Sequence, residues 1–339
     1  MKQNLLILAM ASATLLPSTI VSAADHTDGP QVYGRVDLGL ARVDEGADPM
    51  FELQDKGSRL GFKGEEDLGG LTGIYQLEFA VDVAEGSGVA KSRDSFIGLK
   101  GDFGTLMAGR FDTPFKKAQG KSDLFSDHYD MKNYLGGEER EANILGYKSP
   151  SFGAISVFGA ILPGEGSTDN TGEVQDGIGD GFSVMAKYEA DGLFAAVGYD
   201  MNVEWSFWGN LDGTPYGTAA GTDALRLAAG IKMDTMGANI LFQSAEQSDI
   251  TNPAEQTAMV LSGYTMMDQT KFEIQYGMSS HEQSGNVTEI DADFLGLGVE
   301  QKMSKRTTLY ALLAMQSLED QTGAEIEKDV AMIGAQHKF

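Results

Sequence analysis

The sequence predicts an all-β fold: a transmembrane, antiparallel up-and-down β-barrel of about 16 strands with an inward-folded third external loop. Three observations predict it. About sixteen segments alternate apolar and polar residues with period two, the mark of strands with one face turned to an apolar medium. The connections between them alternate between short and long. Beyond the N-terminal leader, no run approaches the roughly 18 consecutive apolar residues of a spanning helix. A spanning strand needs only about 9–11 residues, half of them polar.

The 339-residue chain opens with a secretion signal. Lys2 is its charged start, Leu5 to Leu16 its short apolar run, and Val21-Ser22-Ala23 (or Ser22-Ala23-Ala24) its small-residue cleavage site. Residues 1–23 are therefore set apart, and 24–339 are read as one barrel domain. Removing the leader takes away only Lys2, so 24 basic residues face 50 acidic ones and the formal net charge moves from -25 to -26. That balance disfavours nucleic acid, whose phosphates need basic partners. The sequence holds no cysteine, so the framework closes without disulfides.

The first strand runs from Val32 to Leu40, with Val32, Val36, Leu38 and Leu40 on one face and Tyr33, Arg35 and Asp37 on the other. An acidic loop (Asp44, Glu45, Asp48) leads to residues 59–64, where Arg59 and Lys63 lie opposite Leu60 and Phe62. Asp67-Leu68-Gly69-Gly70 is a tight turn. Residues 71–82 follow, with Leu71, Tyr75, Leu77, Phe79 and Val81 against Thr72, Gln76, Glu78 and Asp82. Further strands are expected near 93–101, 105–110, 143–149, 154–161, 181–188, 193–200, 223–232, 238–244, 257–265, 270–278, 293–302, 307–316 and 330–339. The only helix expected is a short turn within 116–124.

Short connections fall at 67–70, 102–104, 149–153, 189–192, 233–237, 266–269 and 303–306. Long polar ones fall at about 44–57, 83–92, 111–142, 162–180, 201–222, 245–256, 279–292 and 317–329. Strict alternation puts hairpin turns at one end of the strands and long loops at the other, as in an outer-membrane barrel. Closure is required on physical grounds, because an open sheet would leave edge N–H and C=O groups unpaired in lipid. The connection 111–142 is too long for an ordinary loop and too aromatic for a disordered one, with Phe111, Phe115, Phe125, Tyr129 and Tyr134. Such a segment is expected to fold back into what the rest of the chain encloses.

The last stretch, VAMIGAQHKF, places Ala331, Ile333, Ala335, His337 and Phe339 on one face. A terminal Phe339 with apolar residues at every second position resembles the assembly signal of Gram-negative outer-membrane barrels. With Val32-Tyr33-Gly34-Arg35, Ser58 to Gly64, Phe96-Ile97-Gly98-Leu99, Phe103-Gly104, Gly109-Arg110 and Tyr147-Lys148-Ser149-Pro150 in order, residues 31–339 resemble the general porins of Gram-negative bacteria. The resemblance implies a homotrimer of sixteen-stranded barrels, each with a water-filled pore narrowed by its third loop. It implies a basic wall, Arg35, Arg59, Lys63, Arg110 and Lys148, facing charges on the loop. Asp123 and Asp127 are the acidic loop candidates, and Lys116, Lys117 and Lys121 depart from a purely acidic loop.

One part of this assignment stands on physics alone. A charge on the lipid face costs about 2–4 kcal/mol at the midplane, so Arg35, Arg59 and Lys63 face the lumen if their segments span. Opposed charges across a narrow wet pore set a transverse field that sorts solutes by charge.

No enzyme motif appears. His26, His128, His281 and His337 are widely spaced and match no metal site. The Asp176 to Gly181 stretch lacks the closing glutamate of an EF-hand and reads as a plain acidic loop. Trp205 and Trp208, in the fifth long loop, suit a membrane rim, a subunit contact or loop packing. The expected function is passive passage of ions and small hydrophilic solutes, with no cofactor. Partners are outer-membrane lipid, lipopolysaccharide and the barrel assembly machinery. The alternatives are a solute-specific channel and, from another class, a barrel enzyme or adhesin. The acidic loops draw cations to the mouth, and the basic wall gives the narrowest point a slight lean toward anions.

Overall fold

The computed structural model describes residues 29–46, 48–86, 91–168, 172–205, 220–248, 253–283 and 288–339. The leader and Trp208 lie outside them.

Among the described residues, sixteen wall strands form one sheet. They are β1 (Gln31–Asp44), β2 (Met50–Asp55 continued by Arg59–Asp67), β3 (Thr72–Ala80), β4 (Lys91–Gly101), β5 (Gly104–Asp112), β6 (Arg140–Lys148), β7 (Ile155–Leu162) and β8 (Gly181–Ala190). Then follow β9 (Leu193–Trp205), β10 (Ala220–Lys232), β11 (Met236–Gln247), β12 (Ala254–Met267), β13 (Thr270–Gln283), β14 (Thr288–Lys302), β15 (Thr307–Asp320) and β16 (Glu325–Lys338). Each pairs antiparallel with its sequence neighbours, and β1 pairs with β16 from Arg35↔Lys338 to Asp44↔Asp329. Gly34 and Phe339 extend that seam by exchanging two backbone hydrogen bonds of 3.1 Å. The closed, even-stranded sheet leaves no edge, as the backbone of a spanning sheet requires.

Burial follows the predicted parity. On β11 the exposed residues Ile240 (46%) and Phe242 (45%) alternate with the fully buried Leu241 and Gln243. On β1, Val32, Val36 and Leu40 are exposed while Arg35 and Asp37 are buried. The exposed apolar face turns outward, and charge and amide groups turn inward.

The structure corrects the predicted strand limits. Several strands run past the membrane band into stretches read as loops. The predicted 317–329 loop is strand on both sides, closed by an Asp320 N–H to Ala324 C=O bond of 2.9 Å. Above the lipid both faces of a strand meet water, so the hydropathy contrast fades although pairing continues. Within the predicted loop 44–57, Met50–Asp55 pairs with β1, with Phe51 (73%) and Leu53 (55%) exposed. Trp205 ends a strand rather than sitting in a loop, and it is fully buried. The helical turn is Pro114–Lys117 (α1), earlier than expected. Pro114 opens it, and the Thr113 side chain caps it by accepting the Lys116 N–H.

The outward ends of the later strands carry a row of carboxylates in direct register. Glu246 faces Glu255, Glu255 faces Glu282 and Glu282 faces Glu289. Asp291 faces Glu319, which faces Glu325. All are exposed.

Candidate functional site

The connection between β5 and β6, residues 113–139, contacts strands far around the barrel. Its outgoing arm begins with α1, where the Phe115 N–H donates to Ser183 Oγ on β8 (3.1 Å) and the Phe115 ring packs on Trp205 (5.1 Å). The Leu124 N–H donates to Gln275 Oε1 on β13 (2.7 Å). Phe294 of β14 stacks between the loop's Tyr129 (5.2 Å) and Tyr134 (5.0 Å). The tip reaches β1, where Asp127 accepts from Arg35 Nη1 at 2.6 Å, and β15, where His128 packs on Tyr310 at 4.0 Å. On the return arm the Gly136 N–H donates to Gln256 Oε1 (3.2 Å), and Arg226 Nη1 donates to Glu138 (2.7 Å). These contacts fix a segment that would otherwise pay a large ordering entropy.

Arg226 joins both arms. Its guanidinium is fully buried, donates to Glu138, Gly136 O and Gln243 Oε1, and lies 4.4 Å over the Phe115 ring. Nothing in the sequence pattern marks it beyond its inward parity on β10.

A ladder of ion pairs in two runs lies along β1 to β6, the first ending at Arg93 and the second beginning at Asp94. Asp127 meets Arg35 (2.6 Å) and Arg59 (4.0 Å). Glu78 of β3 meets Arg59 (3.8 Å) and Arg93 of β4 (2.6 Å), and accepts from Tyr33 Oη (2.9 Å). Asp94 meets Arg140 of β6 (2.6 Å), which reaches Asp112 of β5 (2.9 Å). Asp112 also holds Lys117 (2.5 Å) and Lys116 (3.5 Å) of α1. Six basic and four acidic side chains make this ladder, a net charge of +2.

The structure therefore sorts the predicted site residues. Arg35, Arg59 and Asp127 come together. Asp123 does not face the basic wall. It accepts from the Phe125 N–H (3.1 Å), the Met131 N–H (3.2 Å) and Gln275 Nε2 (3.2 Å), a clasp that holds the loop's own shape. Lys116 and Lys117 are drawn to Asp112 rather than standing free, and Lys121 is exposed. Lys63 pairs in register with Gln31 and lies over the Tyr33 ring (5.2 Å), and Lys148 lies over Phe158 (4.8 Å). Lys63 stands toward the short-turn end, while Lys148 lies within electrostatic reach of Lys117 of α1 and of Asp94 and Asp112. Arg110 lies outside the ladder too, in a recess of about 350 Å³ with Lys132, Leu135, Gly136, Glu138 and Arg140. Glu78, Arg93, Asp94, Arg140 and Arg226 were not read from the sequence as site residues.

The loop acids divide by surroundings. Burial pushes the Asp127 carboxyl up, but the Arg35 hydrogen bond and the Arg35 and Arg59 charges outweigh it and hold it below the usual range. Asp123 is pushed well above that range, by burial first and then by the Asp130 charge. Burial raises Asp130 as well. Burial takes Glu138 to about 7 against the pull of Arg226 and Lys116.

Comparison with known proteins agrees with this architecture. A family model described as Gram-negative porin matches residues 8–321. The major outer membrane protein P.IB of Neisseria gonorrhoeae is 33% identical over 210 residues, 58% of this chain and 56% of that one. That match spans little more than half of the relative's length. The P.IB protein of Neisseria lactamica is 27% identical over 100% of both chains. Among solved structures, the anion-selective porin from Comamonas acidovorans superposes with a TM-score of 0.74 at 23% identity, over 92% of this chain and 99% of that one. With the closed sixteen-stranded wall, the outward apolar band and a family match over nearly the whole chain, this chain belongs to the Gram-negative porins of the outer membrane.

Proposed function

We propose that the protein is an outer-membrane diffusion channel in which loop 113–139 lies inside the barrel and narrows the pore, with a lean toward anions at the narrowest point. One observation carries the reading. A connection between two neighbouring strands, β5 and β6, bonds to Arg35 on β1 and to Gln256 and Gln275 on β12 and β13. A segment reaching all of these inward-facing residues crosses the lumen. The net-positive ladder supplies charge at the crossing, where local groups outweigh those beyond the roughly 8 Å screening length at physiological salt.

Transport is passive, with no bond made or broken and no cofactor. Solutes are ions and small hydrophilic molecules that fit beside the loop. Residues 24–339 form the single functional barrel, assembled as a homotrimer after removal of the leader. Phe339 serves as the assembly signal read by the barrel assembly machinery. Lys63 lines the approach on the short-turn side, Arg110 the recess beside the loop's return arm, and Lys148 the wall within reach of the ladder. Outer-membrane lipid meets the apolar band, and lipopolysaccharide meets the acidic rim.

The test is reversal potential in a planar bilayer under a KCl gradient. Ion-conducting steps with a modest anion preference are expected. Absence of a pore overturns the channel reading, and strong cation preference overturns the assignment of the ladder as the selecting element.

A further inference from the structure

We propose that the turn between β14 and β15, with the end of β16 beside it, binds the anionic headgroup of an inner-leaflet phospholipid. The proposal rests on the outer-membrane reading above, which turns the short connections toward the periplasm. Conduction plays no part in it.

The short turns of this chain differ in charge. Asp67, Asp102, Asp191, Asp234 and Asp268 each sit in one of them, and the turn at 149–153 carries no charged residue. The turn at 303–306 instead carries Lys305 and Arg306, with Lys302 just before it and Lys338 at the end of β16. All four are exposed. Lys271 of β13 is held by Glu273 (2.5 Å) and Glu300 (3.8 Å), whereas among the described residues these four cations make no ion pair. Two anions stand near them: Asp268 in the neighbouring turn and the terminal carboxylate of Phe339. Four cations less two anions leave +2, in a mature chain of formal net charge -26.

The backbone that carries these charges is pinned. The Met303 and Ser304 N–H groups donate to Thr307 O (2.9 and 3.2 Å), and Ser304 Oγ accepts from the Arg306 N–H (3.1 Å) and the Thr307 N–H (3.0 Å). The Lys338 N–H donates to Arg306 O (2.8 Å), which ties the end of β16 to the turn, and the Lys302 N–H donates to Gln269 O (2.9 Å). The patch also borders the apolar band. Met303 is 61% exposed within the turn, Leu309 is exposed on the outward parity of β15, and Phe339 is exposed at the end of β16. Cations at the foot of an apolar face fit a ligand with a charged head and an oily tail. Long basic side chains reach the phosphate level from such a position, and a cluster of about four is enough to hold anionic lipid. A soluble anion would use the charges and leave the exposed apolar edge without a partner.

The chain has no native cysteine, so a fluorophore on Met303→Cys is unique. The labelled full-length barrel is reconstituted in vesicles of phosphatidylcholine and phosphatidylglycerol, with one or the other lipid brominated in its acyl chains. Quenching then reads the relative affinity of the two lipids at the turn. Both carry a phosphate, but only phosphatidylglycerol carries net charge. It should be preferred, and the preference should fall about fivefold for each cation removed in Lys305→Gln and Arg306→Gln, the weight of one basic residue at an anionic membrane surface. Lys305→Arg/Arg306→Lys keeps both charges and should keep the preference. Equal quenching by the two lipids in the Met303→Cys barrel would overturn the proposal, and so would a preference unchanged in Lys305→Gln/Arg306→Gln. A label quenched by neither lipid would instead refute the placement of the short turns at a bilayer edge.

Discussion

Replacing Arg226 by Met tests whether a buried ion pair holds the root of the loop. Methionine keeps an unbranched apolar stem of similar reach but removes the charge and all the donors. Glu138, with a side chain 3% exposed, then loses its cation, and Gly136 O and Gln243 Oε1 lose a donor. Removing one partner of a buried pair typically costs about 3–5 kcal/mol. The lower end applies here, because Glu138 already titrates at about 7 and can shed its charge for about 1.4 kcal/mol per pH unit above that. At pH 8 the docked loop should lose about 3 kcal/mol, a factor of roughly 100 in the undocked population. Trypsin cleavage at Lys116, Lys117 or Lys121 in the intact barrel reads that population when reclosing outpaces cleavage. Arg226→Met should be cut about 100-fold faster than wild type. Arg226→Met/Glu138→Gln, which removes both charges, should recover most of the protection. Equal cleavage of wild type and the single variant, or no recovery in the double, would refute the clamp.

Two further outcomes follow from the same geometry. Burial raises Glu138, Asp123 and Asp130, so their contribution to docking is full below their ordinary values and is lost as pH rises through the raised ones. Open-channel current noise from loop motion should therefore grow from pH 5 to pH 8, with Glu138 alone contributing about 3 kcal/mol, and a quieter channel at pH 8 contradicts this. Gly57→Ala places a Cβ 2.6 Å from Arg35 Nη2 at a backbone φ of +83°, which costs about 1–2 kcal/mol before the clash is counted. It should loosen the Asp127 latch and produce subconductance states, and single-channel traces identical to wild type would show that the break in β2 plays no part in holding the loop.

Much of the wall was legible because each spanning strand meets lipid on one side and water or protein on the other. That contrast writes itself into alternate residues, and Arg35, Arg59 and Lys63 could be faced inward from it. The strands became illegible where the contrast ends, as at 317–329, where both faces are wet. Arg93 was illegible for another reason: a bulge changes parity mid-strand, and nothing local in Lys91 to Asp94 marks it. The loop's length and aromatic content identified it as a folded element. Which of its charges meet the wall depends on partners more than 90 residues away, and Asp123 and Asp127 differ in sequence context too little to be told apart.

The row of carboxylates from Glu246 to Glu325 acts as a waterline. Outward charges cannot sink into hydrocarbon without cost. On β13 the outward apolar residues Phe272, Ile274, Tyr276 and Met278 are followed, past Ser280, by Glu282. Ten residues at about 3.3 Å each, tilted about 45°, rise about 23 Å, close to the roughly 25 Å band of such barrels. Charged outward ends on neighbouring strands mark where the apolar band stops, so how far each strand sinks into the bilayer is decided on the outside of the wall.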